Sequence, residues 1–421
     1  MRRESFFYRN AAELLTLAGG PCPRRGPRLS ELGIIRGGGL LTRGENISRI
    51  GRSAALEAEA RRTKAQEVDC RGRVLMPGFV DCHTHLVFAG NRIADFERRI
   101  RGGTYLEIAR AGGGIEYTAA RTRRAREAEL VQQAQEFLEQ FAAHGTTTVE
   151  VKSGYGLDVP TELKILKAVR RLSRRTPLDL APTLLAAHAL PPEYARRRGA
   201  YLARVVRELI PRAAQKKLAE FADCFADRGA FTAAECGAVL QAARRHGLVP
   251  RIHAEQLSRT GAIQLAVQLG AASADHLDFA NAADIRALAQ SEVVAVLVPG
   301  SNFFLGVTKL PPARRLIDAG AAVALATDFN PGTCPTLNMQ FILSLATTQL
   351  RMTPAEAISA ATLNAGHALR RAGQIGSLEP GKLADLALMD VSDYREIPYF
   401  FGWNHCVMTV KKGQIIYQLK N

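Results

Sequence analysis

Eight short apolar runs, separated by stretches with helical spacing, fill the middle of this 421-residue chain. They are Phe79–His85, Thr146–Lys152, Ala181–His188, Ala219–Phe225, Val249–His253, Ser273–His276, Val293–Val298 and Ala322–Thr327. Each has the length and bulk of a buried strand. Between them, Arg123 to Ala143 has apolar positions at helical spacing, and Pro160 to Arg175 starts on a helix-compatible proline. Thr232-Ala-Ala-Glu235 reads as a capping box leading into Val239 to His246. After the eighth run, Thr353-Pro-Ala-Glu356 caps one more helix, to about Leu369. Alternating strands and helices bury both faces of a parallel sheet, and eight such units close into a (β/α)8 TIM-like barrel of the α/β class.

The two ends of the chain read differently. Gly33–Ile35, Gly39–Leu41, Ile47–Ile50 and Arg73–Leu75 are strand-like pieces with glycine turns, interrupted by a helix-prone insert at Ala54–Lys64. Ala384–Met389, Cys406–Val410 and Gln414–Tyr417 match them at the far end. These are expected to be halves of one small antiparallel β-sandwich domain, built from residues 1–76 and 371–421 around a barrel at 77–370.

Composition excludes several classes. With 47% apolar residues the chain can bury a large core, and no apolar run approaches the ~20 residues that span a bilayer. The start resembles a signal peptide only faintly, because Glu13 interrupts the approach to a short Leu14–Ala18 run and Pro21 precedes Cys22. A cytoplasmic protein without membrane contact is expected. Seven cysteines are dispersed with no Cys-x-x-Cys pair, the pattern of reduced thiols. The net charge of +16 comes from arginines spread over helix-like segments such as Arg170-Arg171 and Arg196–Arg198. That pattern suits solvated faces and attraction of an anionic small molecule better than a nucleic-acid stripe.

In a barrel, chemistry sits at the C-terminal ends of the strands. Five of the nine histidines fall there: His83, His85, His188, His253 and His276, with Asp328 at the end of the eighth strand. His83 and His85 are two apart, so on a strand both imidazoles face one point. Cys82 between them turns to the opposite side and packs. His144, His246, His367 and His405 fall elsewhere and take structural roles. Three histidines and a carboxylate, His83, His85, His253 and Asp328, suit one divalent ion that lowers the pKa of a bound water. A two-metal centre in such a barrel takes a modified lysine from strand four, and strand four offers Asp223 and Asp227 but no lysine. A mononuclear site follows.

Pro77-Gly-Phe-Val-Asp-Cys-His-Thr-His85 with a distant Thr327-Asp328 resembles the amidohydrolase superfamily. Within it, further blocks resemble the imidazolonepropionases. They are Val87–Arg92, Ala111-Gly-Gly-Gly-Ile115, Val149-Glu-Val-Lys-Ser-Gly-Tyr-Gly-Leu157, Ala187–Pro191, His253-Ala-Glu-Gln256, Asp275–Leu277 and Thr327-Asp-Phe-Asn-Pro-Gly-Thr333. The resemblance implies hydrolysis of the ring C–N bond of 4-imidazolone-5-propanoate to N-formimidoyl-L-glutamate, with zinc or iron on the four ligands. It places Arg92, Tyr155, His188, Gln256 and Thr333 against the substrate, puts Asn330 and Gly332 near the product, and suggests a homodimer. An arginine fork suits the propionate, and Gly154 and Gly156 would let a ligand approach the backbone beside Tyr155.

One departure concerns proton transfer. Some relatives carry glutamate three residues after the strand-five histidine, whereas this chain has Gln256, which cannot titrate. Proton transfer then falls to Asp328, with His276 stabilising developing charge, or to Glu255 if it points inward. Two rivals stand beside this reading. One is another cyclic-amidine or nucleobase deaminase of the superfamily, and the other a non-catalytic basic binding protein.

Overall fold

The computed structural model describes residues 4–103, 107 and 112–420; residues 1–3, Ala111 and Asn421 of the segments named above lie outside the described residues. Two eight-stranded sheets organise the molecule. The first is made of β1 (Phe6–Leu15), β2 (Ile34–Arg43), β3 (Asn46–Arg52), β4 (Gln66–Asp69) and β5 (Val74–Pro77). The second contains β6 (Phe79–Asp81), β7 (Thr146–Lys152), β8 (Asp179–Ala187), β9 (Phe221–Ala226), β10 (Val249–Ala254), β11 (Ser273–His276), β12 (Val294–Leu297) and β13 (Val323–Leu325). The chain then returns to the first sheet with β14 (Leu386–Met389), β15 (Cys406–Lys411) and β16 (Gln414–Gln418).

Strands β6 to β13 run parallel in sequential order, each joined to the next by helical crossovers. The barrel closes where β6 meets β13, through a parallel bridge between Thr84 and Phe329. There His85 N donates to Phe329 O at 2.8 Å and Asp328 N to His83 O at 3.0 Å. Asp81 reinforces the seam, accepting from Thr327 N at 3.1 Å and Thr327 Oγ1 at 2.5 Å. Closure therefore depends on the residues that carry the candidate ligands.

The small unit is a mixed sheet, in the order β16-β15-β14-β5-β1-β2-β3. Its hairpins are antiparallel as expected, but β1 pairs in parallel with both β4 and β5. The intervening β2–β3 hairpin and helix Ser53–Thr63 supply the long crossover that a parallel pair requires. The buried Lys411 fastens this sheet to the barrel, its Nζ lying 2.6 Å from Asp385 and 2.8 Å from Asp179 at the start of β8.

Three helical expectations change. The stretch 123–143 is two helices, Gly114–Arg124 and Glu127–Ala143. Lys164 Nζ captures the carbonyls of Thr122, Arg123 and Ala125, ending the first helix, while Glu129 Oε2 accepts from Arg126 N at 2.9 Å where the second begins. The helix from Thr353 is Pro354–Ala361 followed by Leu363–Ala368, broken at Thr362, which leaves helical dihedrals. Helix Met339–Thr348, capped by Asn338, precedes them and was not expected from the sequence. Among the described residues, no helix is long and apolar enough to cross a membrane. All seven cysteines are free, and Cys82 is buried among Val80, Ala181 and Ala324.

Candidate active site

Strand β6 ends at Asp81, earlier than its apolar run suggests, so His83 and His85 lie just beyond it. The bridge at Thr84 keeps the segment extended, and both rings still turn into the barrel mouth. His253 comes from β10. Ring nitrogens of His83, His85 and His253 lie within 4.8 Å of one another, and all three side chains are buried. Asp328 Oδ1 lies 3.5 Å from Nε2 of both His83 and His85.

Tautomers follow from the partners. His83 Nδ1 is 2.7 Å from Asp275 Oδ2, an acceptor, so this nitrogen carries the proton and Nε2 keeps its lone pair. That Nε2 is buried and has no hydrogen-bond partner among the described residues. His253 Nδ1 sits 3.1 Å from Asp223 Oδ2 without full hydrogen-bond alignment, and its Nε2 faces His85 Nε2 at 3.4 Å. Burial, then neighbouring cations and imidazoles, pushes His83 and His85 far below the ordinary histidine range, so both are neutral. Three buried imidazoles whose Nε2 atoms converge beside Asp328, with Nδ1 of His83 and of His253 set against a carboxylate, are the donor set a divalent ion takes. The residues fit the ion.

Asp328, buried, is pushed up to about 7, with His253 and Lys152 pulling the other way. It adopts a left-handed backbone conformation (φ 57°), as do Glu255 (49°) and His276 (81°). Non-glycine residues in that region are uncommon, and here they cluster where strands β10, β11 and β13 end. His276 is buried with its ring 5.2 Å from that of His253, and burial lowers it to about 3. It therefore acts as a neutral hydrogen-bonding group. Glu255 turns away from the mouth. Its carboxylate accepts from the backbone N–H groups of Thr260, Gly261, Ala262 and Ile263, which removes it as a proton carrier to the site.

A second group of side chains forms one wall. His188 stacks on His85 with centroids 5.2 Å apart, and its Nδ1 bonds to Gly154 O at 2.9 Å. Tyr155 is buried with its ring 5.7 Å from His85 and 5.4 Å from His188. Arg92 lies over Tyr155, 5.8 Å from the ring centroid. Its Nε donates to Thr118 Oγ1 at 2.8 Å, while Nη2 is buried without a hydrogen-bond partner among the described residues. Asn330 shapes the facing loop, since its Oδ1 accepts from Gly332 N and Thr333 N, each at 2.8 Å. A Cβ on Gly332 would push Arg92 Nη1 aside, so the glycine leaves the guanidinium its present place. Gln256, half-buried, lies on the loop after β10, where Asp227 accepts from Leu257 N at 2.7 Å and Ser258 Oγ at 2.6 Å.

The reading of Gly154 and Gly156 as openings for a ligand is corrected. A Cβ on Gly154 would meet Leu185 at 2.8 Å and one on Gly156 would meet Glu162 N at 2.6 Å, so protein occupies both spaces. The buried Glu162 carboxylate organises the loop by accepting from Gly154 N, Gly156 N and Leu157 N. Glu162 was not singled out from the sequence; nor were Glu150, Asp223, Arg251 and Asp275 given roles, although all four are fully buried beneath the histidines. The available signal was charge at period two inside apolar strands: Glu150 with Lys152, and Arg251 with His253.

A model of the amidohydrolase family matches residues 74–416. The imidazolonepropionase of Geobacillus kaustophilus (strain HTA426) is 44% identical over 413 residues, covering 97% of each chain. That of Solibacter usitatus (strain Ellin6076) is 46% identical over 409 residues, covering 97% of this chain and 98% of its own. This chain belongs to the imidazolonepropionase family of amidohydrolases. Among solved structures, Escherichia coli guanine deaminase superposes with a TM-score of 0.73 at 17% identity, covering 99% of this chain and all of that one. An adenosine deaminase from Xanthomonas campestris with bound zinc gives 0.67 at 18%, covering 99% and 94%. At such identities these two share the fold.

Proposed function

We propose that this amidohydrolase opens the ring of 4-imidazolone-5-propanoate at a C–N bond, yielding N-formimidoyl-L-glutamate in histidine degradation. The observation that carries the reading is Arg92, a half-buried cation whose Nη2 is buried without a hydrogen-bond partner among the described residues, set beside a ligand set for a divalent ion. A buried donor without a partner is costly, and a ligand carboxylate would satisfy it.

His83, His85, His253 and Asp328 would hold the ion, zinc or iron. When bound, it supplies Lewis-acid chemistry and a water nucleophile at neutral pH. Arg92 takes the propionate and so fixes which ring edge faces the histidines. Tyr155 and His188 present flat faces to the planar ring, and Gln256 hydrogen-bonds it without titrating. Asn330 holds Gly332 and Thr333 in the loop opposite Arg92. Asp328 takes the proton from water and returns it to the leaving ring nitrogen. His276, neutral, donates a hydrogen bond to the oxygen that gains charge.

The test is elemental analysis of purified protein beside loss of absorbance of freshly made 4-imidazolone-5-propanoate. The expected result is about one zinc or iron per chain with turnover. Metal without turnover would move the reading to a deaminase of the same family, and neither would sink it.

A further inference from the structure

Beneath the candidate ligands lies a buried layer of charge. Glu150 and Lys152 on β7, Asp223 on β9, Arg251 on β10 and Asp275 on β11 are all fully buried. Lys152 Nζ is at its centre, 2.8 Å from Glu150 Oε1, 2.8 Å from Asp223 Oδ2 and 3.8 Å from Asp275 Oδ2. Each carboxylate reaches onward to a different part of the ligand set. Glu150 Oε2 accepts from Thr84 N, between His83 and His85, at 3.1 Å. Asp223 Oδ1 accepts from His253 N at 3.2 Å, and its Oδ2 is 3.1 Å from His253 Nδ1. Asp275 Oδ2 accepts from His83 Nδ1 at 2.7 Å.

We infer that Lys152 is the positioning residue of the metal centre: one buried ammonium ties together the three carboxylates that orient His83, His253 and the His83–His85 backbone. The inference rests on the metal-centre reading above. The charge inventory gives it force. Three carboxylates share two cations, and the second cation is already committed. Arg251 Nη2 donates to Cys82 O at 2.7 Å as well as to Asp275 at 3.3 Å, and its Nη1 to Ala368 O at 3.2 Å. Without Lys152, Glu150 and Asp223 face each other across a low-dielectric gap with no cation between them. Their repulsion moves them apart. The movement carries Thr84 N and the His253 ring with it, and spreads ligand nitrogens that now lie within 4.8 Å of one another. Lysine suits this position because its ammonium is a compact point charge with three donors.

The test uses full-length protein stripped of metal and titrated with zinc against a chromophoric chelator, with a cobalt-loaded sample read by visible absorption. Outer-shell partners typically contribute about 10–100-fold to metal affinity. Lys152→Met is expected to weaken zinc binding by roughly 100-fold and to change the cobalt spectrum, because it disturbs two orienting carboxylates at once. Lys152→Arg should recover part of both, which a purely structural role at a distance would not predict. If Lys152→Met does not fold, the charge-balanced pair Lys152→Gln with Glu150→Gln carries the test, with an expected loss of about 10-fold or more. Unchanged zinc affinity and an unchanged cobalt spectrum in a folded variant overturn the inference while leaving the metal centre standing. A wild-type protein that binds no zinc and no cobalt overturns both.

Discussion

The floor of the site and its wall are built on opposite principles. The floor, His83, His85 and His253 over Glu150, Lys152, Asp223 and Asp275, sits on or directly after barrel strands, with every charge wired to another. The wall is made by segments that leave the strands: Arg92 at the start of helix Ile93–Ile100, the Asn330–Thr333 turn, and the loop bearing Gln256. Its principal cation, Arg92, has one side-chain hydrogen bond among the described residues, to Thr118. Over-determined geometry belongs where ligand atoms must hold position within fractions of an ångström, and spare bonding capacity belongs where a substrate must supply it. On this account the floor governs metal and kcat, and the wall governs KM.

The largest expected effect breaks the floor. His83→Ala should lose the metal and at least about 10³-fold in kcat/KM, the scale of removing a principal electrostatic stabiliser. Metal retained at one per chain in that variant would contradict the ligand assignment. Next comes the wall. Arg92→Ala should keep the metal and lose about 10²-fold in kcat/KM, mostly through KM, from the loss of charge-assisted hydrogen bonds. Metal loss in that variant would erase the division between the two regions. Gly332→Ala should act in the same direction at about 10-fold, because its Cβ displaces the guanidinium without removing it.

Glu255→Gln probes the boundary between floor and wall. Its carboxylate serves four backbone amides at the start of helix Ala262–Leu269, so thermal melts should show a loss of about 1–3 kcal/mol with the pH profile of kcat keeping its shape. A collapsed kcat at unchanged stability would instead make Glu255 the proton carrier. The smallest effect lies outside both regions. Burial lowers His367 to about 4, below its ordinary 6.5. The unfolded chain then takes up a proton at a pH where the folded one does not. Stability should fall as pH drops from 6.5 toward 4 and level off below. His367→Gln should flatten part of that slope in melting temperature against pH.

How much of this was legible in the sequence depends on whether the signal was local. Thr232 and Glu235 announce a capping box and form one, because all its groups lie within four residues. At the start of the helix Glu127–Ala143, Glu129 accepts from Arg126 N, a contact just as local. The helix break there also needs Lys164, about forty residues away, to hold the carbonyls of the preceding helix, and no local pattern shows that. Glycine at 154 and 156 was legible as a need for space. That Leu185 and Glu162 fill it was not.

By itself the sequence determined the barrel, through eight apolar runs spaced by helical segments, and the family, through blocks such as Val149–Leu157 and Thr327–Thr333. It also placed five histidines and Asp328 at strand ends, since strand direction and a two-residue period are properties of the local chain. Only the tertiary structure decided which charges are paired. Lys152 meets Asp223 from two strands away, Asp275 reaches His83 across 192 residues, and Glu255 swings out because its backbone turns left-handed after β10. The physical reason is that burial makes an unpaired charge prohibitively costly, so partners are chosen by position in the closed barrel and not by distance along the chain.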